Sequence, residues 1–337
     1  MAPGCPWNWQ VAVIRACKFA RLREHFPNLL RSASMGGTDD MTNLSGIVPG
    51  DRPPILYRVA KILERRGVRG SSRLLRFLRR TGRLDVPVEF PIRGSLSVIV
   101  PIARNGYDRT DLDNYEIELI EMLSAAIQEL PGRARLIDVG ADIGLFSLKL
   151  LAASPSISEI LAFEPNGEGF RWLELNLGRL NIPVRSINAA VADFDGAGRL
   201  AAPDAKWTPG VETNHTQFFL EPTPDGPIKV TKIDSVNPHL DRETLVLKVD
   251  VEGGEMAALR GAVRTITAAP NVIVAIEAHP SVTARTGIDP VECLRLLSSF
   301  RSFRFKVGET GLALNTEKAV FDQIPPDRVY NLVARSS

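Results

Sequence analysis

The sequence predicts an α/β domain built on an open, doubly wound, mostly parallel sheet. Three observations predict it. From Arg135 onward, short apolar runs alternate with helical patterns, the βαβα order that gives a parallel sheet covered on both faces. The runs are continuously apolar, as strands buried on both faces are. The first of them, Leu136 to Val139, ends in Gly140-Ala141-Asp142-Ile143-Gly144 and passes straight into a helix, the strand–turn–helix junction of Rossmann-like folds.

The elements follow in order. Residues 1–50 are weakly patterned, and Ser32 to Gly50 reads as a flexible linker rich in Ser, Gly, Thr and Asn. Residues 51–85 read as a basic helical arm. Between 51 and 83 stand 11 Lys and Arg, with Asp51 and Glu64 as the only acids. Leu56, Val59, Ala60, Ile62 and Leu63 make a rough apolar face on it. Residues 86–130 are a lead-in. Val88, Phe90 and Ile92, then Leu96, Val98 and Val100, alternate about Arg93-Gly94-Ser95 as a hairpin does. Asn114 is placed to cap a helix over 115–130 that Pro131-Gly132 closes. Residues 131–337 then form the Rossmann-like domain. Its predicted strands are 136–139, 159–163, 184–192, 244–249 and 271–278, and its predicted helices 145–151, 169–180, 254–266 and 291–298. An insertion at 200–235 holds Ile228–Ile233 as an extra strand or hairpin.

Composition narrows the function classes. With 44% apolar and 24% charged residues and a net charge of +2, the chain reads as an ordinary soluble protein. No run approaches the ~18 apolar residues of a membrane span. Val11 to Ile14 is followed by Arg15 and Lys18, the reverse of a secretory signal. Cys5, Cys17 and Cys293 show no CxxC spacing, which argues against a disulfide framework or zinc site and fits a cytoplasmic location. Only Tyr57 and Phe77 are interleaved with the basic run, so a base-stacking platform and a nucleic-acid partner are not expected.

Five segments carry chemistry. In the turn after the first strand, Gly140 and Gly144 let the backbone approach a ligand. The middle glycine of the dinucleotide pattern is absent, and Asp142 stands inside the turn. A carboxylate there repels a pyrophosphate but suits the sulfonium and ammonium of S-adenosylmethionine. The plainer reading is a structural turn with Asp142 as helix cap. Glu164 follows Gly144 by 20 residues and ends the second strand, the spacing at which an acid accepts from ribose hydroxyls. The alternative is an exposed loop acid. Asp193, after the third strand, is placed to accept from an adenine amino group, though Asp193 to Gly196 also reads as a plain turn. Asp250, Glu252 and Glu255 cluster at the end of the fourth strand. Glu255 also reads as a first-turn helix acid. His279 ends the fifth strand and suits proton transfer near neutral pH, although a lone histidine is usually structural. His215, in the insertion, is a further acceptor-side candidate.

These segments resemble the FkbM family of S-adenosylmethionine-dependent methyltransferases. The matching pieces are DVGADIGLFSL (138–148), FEPN (163–166) with Asn176 on the next helix, KVTKIDSV (229–236), LKVDVEGGEMAALRGA (247–262) and IEAH (276–279). They occur in family order over roughly 130–310, and the DVEGGE and IEAH pair is the most specific part. Asp142 replaces the family's Asn, and of the family's TLD only Asp234 is kept. The resemblance implies a class I methyltransferase fold and methylation of a hydroxyl, often on a sugar or secondary metabolite. The acceptor is then a small molecule or glycan. It implies that Asp138, Gly140, Asp142, Gly144 and Glu164 hold the cofactor and that Asp193 faces adenine. Asp250, Glu252 and His279 face the acceptor, with His279 or Asp250 as the base. A divalent metal on Asp250, Glu252 and His279 is an alternative. Two other functions compete: a nucleotide-sugar or NAD-dependent enzyme, and a nucleic-acid-binding or scaffold protein that uses the basic 51–83 arm beside a degenerate domain.

Overall fold

The computed structural model describes residues 47–82, 84, 86–202, 218–236 and 243–337. The first elements are a short strand β1 (Val48–Pro49) and two helices, α1 (Ile55–Arg65) and α2 (Ser71–Arg80). Tyr57 and Ala60, three residues apart on one face of α1, are buried, whereas Leu56, Val59 and Ile62 are about half exposed. The apolar face read from the sequence is therefore split. The arc that holds Ala60 packs inward, and most of the stripe faces solvent. Lys61 pairs with Asp111 at 3.0 Å, and Arg65 pairs with Asp108 and Asp111, so part of the basic run is tied to the helix that follows.

The hairpin forms as its alternation predicts: β2 (Pro87–Arg93) runs antiparallel to β3 (Leu96–Pro101). The next stretch differs. Asp108 accepts from the Thr110 and Asp111 backbone N–H groups, and the Asp111 carboxylate accepts from the Asp108 N–H. This reciprocal cap starts a short helix, α3 (Arg109–Asn114), ahead of the predicted site. Asn114 ends that helix, with its Nδ2 donating to the Thr110 carbonyl at 3.0 Å. The chain extends at Tyr115, turns left-handed at Glu116 (φ 46°), and only then begins α4 (Ile117–Gln128).

The doubly wound part comprises β4 (Ala134–Val139), α5 (Leu145–Ala153), β5 (Ile157–Phe163), α6 (Gly167–Leu177) and β6 (Val184–Ile187). The third predicted strand ends at Ile187 instead of Ala192. The Ala189 N–H closes a tight turn on the Ile187 carbonyl, and the chain leaves for a second sheet. That sheet holds β7 (Ala190–Val191), β8 (Gly196–Ala201), β9 (Phe219–Pro222) and β10 (Ile228–Thr231) in the order β7-β10-β8-β9. After α7 (Ile233–Val236) come β11 (Thr244–Val249), α8 (Glu255–Arg260) and α9 (Val263–Ala268). The single helix predicted over 254–266 breaks because Asp234 caps a new one, accepting from the Arg264 and Thr265 N–H groups at 2.8 Å. The chain ends with β12 (Asn271–Ala278), α10 (Pro280–Thr286), α11 (Val291–Phe300), β13 (Phe303–Val307), α12 (Val320–Gln323) and β14 (Tyr330–Ser336).

The main sheet has seven strands in the order β13-β14-β12-β11-β4-β5-β6. It is parallel from β12 to β6, and β14 runs antiparallel between β12 and β13. Strand residues alternate between two cores. Leu136, Ile160, Val246 and Ile273 join the core under α4, α5, the hairpin and the arm residues Tyr57, Leu75 and Leu78. Ile137, Leu161, Leu247 and Val274 join the core under α8, α9 and α11. Each such fully buried side chain contributes about 1.5–3 kcal/mol, which fixes the sheet register and with it the positions of the strand ends.

Candidate functional site

In a parallel sheet the carboxyl ends of the strands open onto a crevice where the strand order reverses. Here β4 pairs with β5 on one side, and the chain returns after β10 to pair β11 on the other. The ends of β4, β5 and β11, with the β6–β7 turn, line a cavity of about 480 Å³. Seven carboxylates line it, from Glu116, Asp142, Glu164, Asp193, Asp250, Glu252 and Glu277, and Arg104 is the one basic residue among the described lining residues.

The turn after β4 is built as its glycines require. Gly140 has φ 82°, and a Cβ there would stand 1.9 Å from the Asp250 carbonyl oxygen, so the turn packs directly on the end of β11. Gly144 (φ 82°) is the residue that precedes α5, so Asp142 is not its cap. Asp142 instead takes φ 47°. Its carboxylate accepts from Asn105 Nδ2 at 2.6 Å and pairs with the Arg104 guanidinium. Its N–H donates to Glu164 Oε2 at 2.8 Å, while Glu164 Oε1 accepts from the Asn166 N–H at 2.7 Å. Glu164 is thus buried rather than an exposed loop acid, and burial together with the nearby Asp142 charge pushes it up to about 7. Asn176 fastens this turn to the hairpin, donating to the carbonyls of Ile99 and Ile143 and accepting from the Ile99 N–H. Asp193 is exposed at the cavity edge. The turn role belongs to Asp195, which accepts from Thr231, Lys232 and Ser235.

The β11 side is more strained. Asp138 and Lys248 are register neighbours and both are buried. Lys248 Nζ donates to Asp250 Oδ2 at 2.8 Å, and Ser147 donates to Asp138 Oδ2 at 2.6 Å. Burial opposes the Lys248 charge, but Asp250, Asp138 and Glu116 outweigh it and hold the ammonium above its ordinary range. Glu252 is left-handed at φ 53°. Burial, then Asp250 and Glu255, push its carboxyl up to about 8. Glu255 folds back to accept from the Gly253 and Val251 N–H groups, so it closes the turn that begins α8.

His279 lies elsewhere. It caps α10, with Nδ1 accepting from the Ser281 N–H at 3.1 Å, and it lines a separate cavity of about 30 Å³. Burial lowers its pKa. Glu277 lines both cavities, and burial with the Asp250 charge holds it well above the carboxylate range. His215 lies outside the described residues. Among the described residues no group of three or more His, Cys, Asp or Glu stands close enough to hold a metal, so Asp250, Glu252 and His279 do not form the ligand set considered above.

Sequence reasoning missed Glu116 and gave Glu277 no role of its own. Glu277 lay within a quoted motif. Glu116 falls within the helix that the sequence predicts over 115–130, and the reciprocal cap of Asp108 and Asp111 is the signal that moves the helix break next to it.

A family model described as the methyltransferase FkbM domain matches residues 138–307. The chain belongs to the FkbM methyltransferase family. Its cofactor is S-adenosylmethionine, and the lining residues fit that molecule, because a cavity so rich in carboxylates favours a cationic ligand over a pyrophosphate. An antimetabolite synthetase from Pseudomonas aeruginosa, AmbE, is 36% identical over 94 residues, which are 28% of this chain and 4% of that protein. Among solved structures, the methyltransferase FkbM of Methylobacillus flagellatus is 17% identical over 61% of this chain and 45% of its own, with a TM-score of 0.39. A tRNA (uracil-54, C5)-methyltransferase of Pyrococcus abyssi is 11% identical over 74% of this chain and 44% of its own, with a TM-score of 0.37. The chain thus spans less than half of each of these solved relatives and a small part of the synthetase.

Proposed function

We propose that this methyltransferase acts on a hydroxyl oxygen of a small-molecule acceptor, a sugar or a secondary metabolite. The observation that carries the reading is one cavity in which Glu164 and Asp193 adjoin Asp250 and Glu252. The synthetase relative, named for an antimetabolite, favours a metabolite over a macromolecule.

When bound, S-adenosylmethionine supplies a methyl group on a sulfonium that is already a good leaving group. What remains for the protein is to align the acceptor and take up its proton. Glu164 receives the ribose hydroxyls with the lone pairs that its two backbone bonds leave. Asp193 accepts from the adenine amino group, and Gly140, Asp142 and Gly144 shape the turn beneath the cofactor. Asp138 supports that turn from behind through Ser147 and Lys248. Asp250 takes the acceptor hydroxyl and its proton, with Lys248 fixing the carboxylate, and Glu252 holds a neighbouring acceptor group. His279 is set aside as the base: while Nδ1 accepts from a backbone N–H, the neutral ring carries its proton on Nε2.

The test is transfer of labelled methyl from S-adenosylmethionine to a panel of saccharides and hydroxylated metabolites, with the position of the label found by mass spectrometry. Label on oxygen is expected, and Asp250→Asn should lower turnover by roughly 100-fold or more at unchanged cofactor affinity. Label found only on nitrogen or on nucleic acid would contradict the reading.

A further inference from the structure

Three described residues other than glycine adopt the left-handed backbone, Glu116, Asp142 and Glu252, and all three line the large cavity. Such strain persists where the surrounding structure enforces it, and it clusters at ligand sites. Asp142 has its partners in Arg104 and Asn105, and the Glu252 carbonyl accepts from Arg285. Glu116 Oε2 and Asp142 Oδ1 are both buried without a hydrogen-bond partner, but Asp142 Oδ1 has the Arg104 guanidinium beside it, whereas Glu116 Oε2 stands in the cavity wall. Leaving a buried carboxylate oxygen unsatisfied is costly, and the cavity is where a partner can enter.

The charges around Glu116 say what kind of partner fits. Lys248 faces it from β11 and Asp250 from just after that strand, Asp138 from β4, Glu309 from the loop after β13 and Lys149 from α5. Lys149 is taken up by the carbonyls of Leu112 and Tyr115. Lys248 already donates to Asp250. The local sum is therefore negative, and a cation completes it. Glu164, Gly140, Asp250 and Glu116 line one cavity, and in a nucleoside seated with its ribose at Glu164 the sulfonium stands one carbon beyond the ribose ring, between the Glu164 wall and the rest of that cavity.

We propose that Glu116 is the counter-charge for the sulfonium of S-adenosylmethionine and so the residue by which the site tells the cofactor from its demethylated product. The proposal rests on the nucleoside lying at Glu164. S-adenosylhomocysteine keeps the ammonium and carboxylate but lacks the sulfonium, so only the methylated form gains from Glu116. Burial, and then Asp250 and Asp138 against Lys248, push Glu116 up to about 7. Near neutral pH the ligand-free carboxyl is thus partly protonated, and a cation beside it drives the proton off.

Calorimetric titration of the full chain with S-adenosylmethionine and, separately, S-adenosylhomocysteine tests this, in two buffers of different ionisation enthalpy at pH 7. Glu116→Gln should weaken the cofactor by roughly 10-fold, leave the product within about threefold, and reduce the protons released on cofactor binding. Glu116→Asp keeps the charge and should keep the preference for the methylated form. Glu164→Gln should weaken both ligands alike. Equal weakening of both ligands by Glu116→Gln would move Glu116 to the shared ammonium and overturn the proposal, as would no change in either. If the wild-type protein bound neither ligand, the reading of the nucleoside site would fail first.

Discussion

Glu164 and Glu116 are glutamates in the walls of one cavity, and both are pushed up to about 7, yet they are held in opposite ways. Each Glu164 oxygen accepts a backbone N–H from a neighbouring turn, so its position is set before any ligand arrives. Glu116 is carried into place by a left-handed residue between two helices and has an oxygen left without a partner. The same contrast runs through the two halves of the crevice. On the β5 side the Asp142 and Asn166 N–H groups satisfy Glu164, and Arg104 and Asn105 answer the Asp142 carboxylate. On the β11 side, Glu116, Asp250, Glu252 and Glu277 crowd together, with Lys248 as the cation beside Glu116, Asp250 and Glu277 and Arg285 as the cation beside Glu252. On the proposed reading, the organised half receives the constant part, the nucleoside. The other stores unfavourable charge that a cationic ligand relieves.

The seam between the halves is the place to break this arrangement. Gly140→Ala sets a Cβ 1.9 Å from the Asp250 carbonyl at a left-handed position. It should cost about 2–5 kcal/mol, summing overpacking and left-handed strain, read as a large fall in melting temperature. A near-neutral result would mean that the two halves do not lean on each other there.

Glu164→Ala removes the organised half's anchor. A charged hydrogen-bonding group of this kind is worth about 2–3 kcal/mol, so cofactor affinity should fall roughly 30- to 150-fold. Product affinity should fall equally, in contrast to the Glu116 variants.

The stored charge also predicts a pH dependence. A carboxyl whose folded pKa lies above its unfolded value binds more protons when folded, so stability falls as pH rises from the unfolded pKa to the folded one. Glu116 and Glu164 at about 7 and Glu252 at about 8 place that window between about pH 4.5 and 8. The melting temperature of the ligand-free protein should decline across it, and S-adenosylmethionine should offset the decline most at its upper end. A ligand-free melting temperature that rises across the window would show that these groups do not dominate it.

The smallest effect belongs to His279. Loss of its cap by His279→Ala should cost about 1 kcal/mol and leave cofactor affinity within about twofold. A collapse of turnover without loss of stability would return it to the role of proton acceptor that the sequence allowed.

How much was legible in the sequence follows the same division. The parallel strands, the Gly140–Gly144 turn and Glu164 could be read because local patterns specify them: apolar runs, glycines at a sharp turn, and an acid at a fixed spacing. The β11 acids were visible as a cluster, but their states were not, since burial and mutual repulsion depend on what packs above them. Glu116 was hidden by a choice between two helix caps. Asn114 is a good cap by residue type, but Asp108 and Asp111 bond reciprocally and start the helix earlier. The antiparallel β14 was not read at all. The outward stripe of Leu56, Val59 and Ile62 was seen as a face, but which arc of α1 turns inward was settled by contacts with α2 and the hairpin core.

The most direct test of the acidic crevice is titration of the wild-type protein with S-adenosylmethionine and with NAD under the same conditions. Saturable binding of S-adenosylmethionine and none of NAD is the predicted result. Binding of NAD in its place would contradict the account, because seven lining carboxylates would then be accommodating a pyrophosphate.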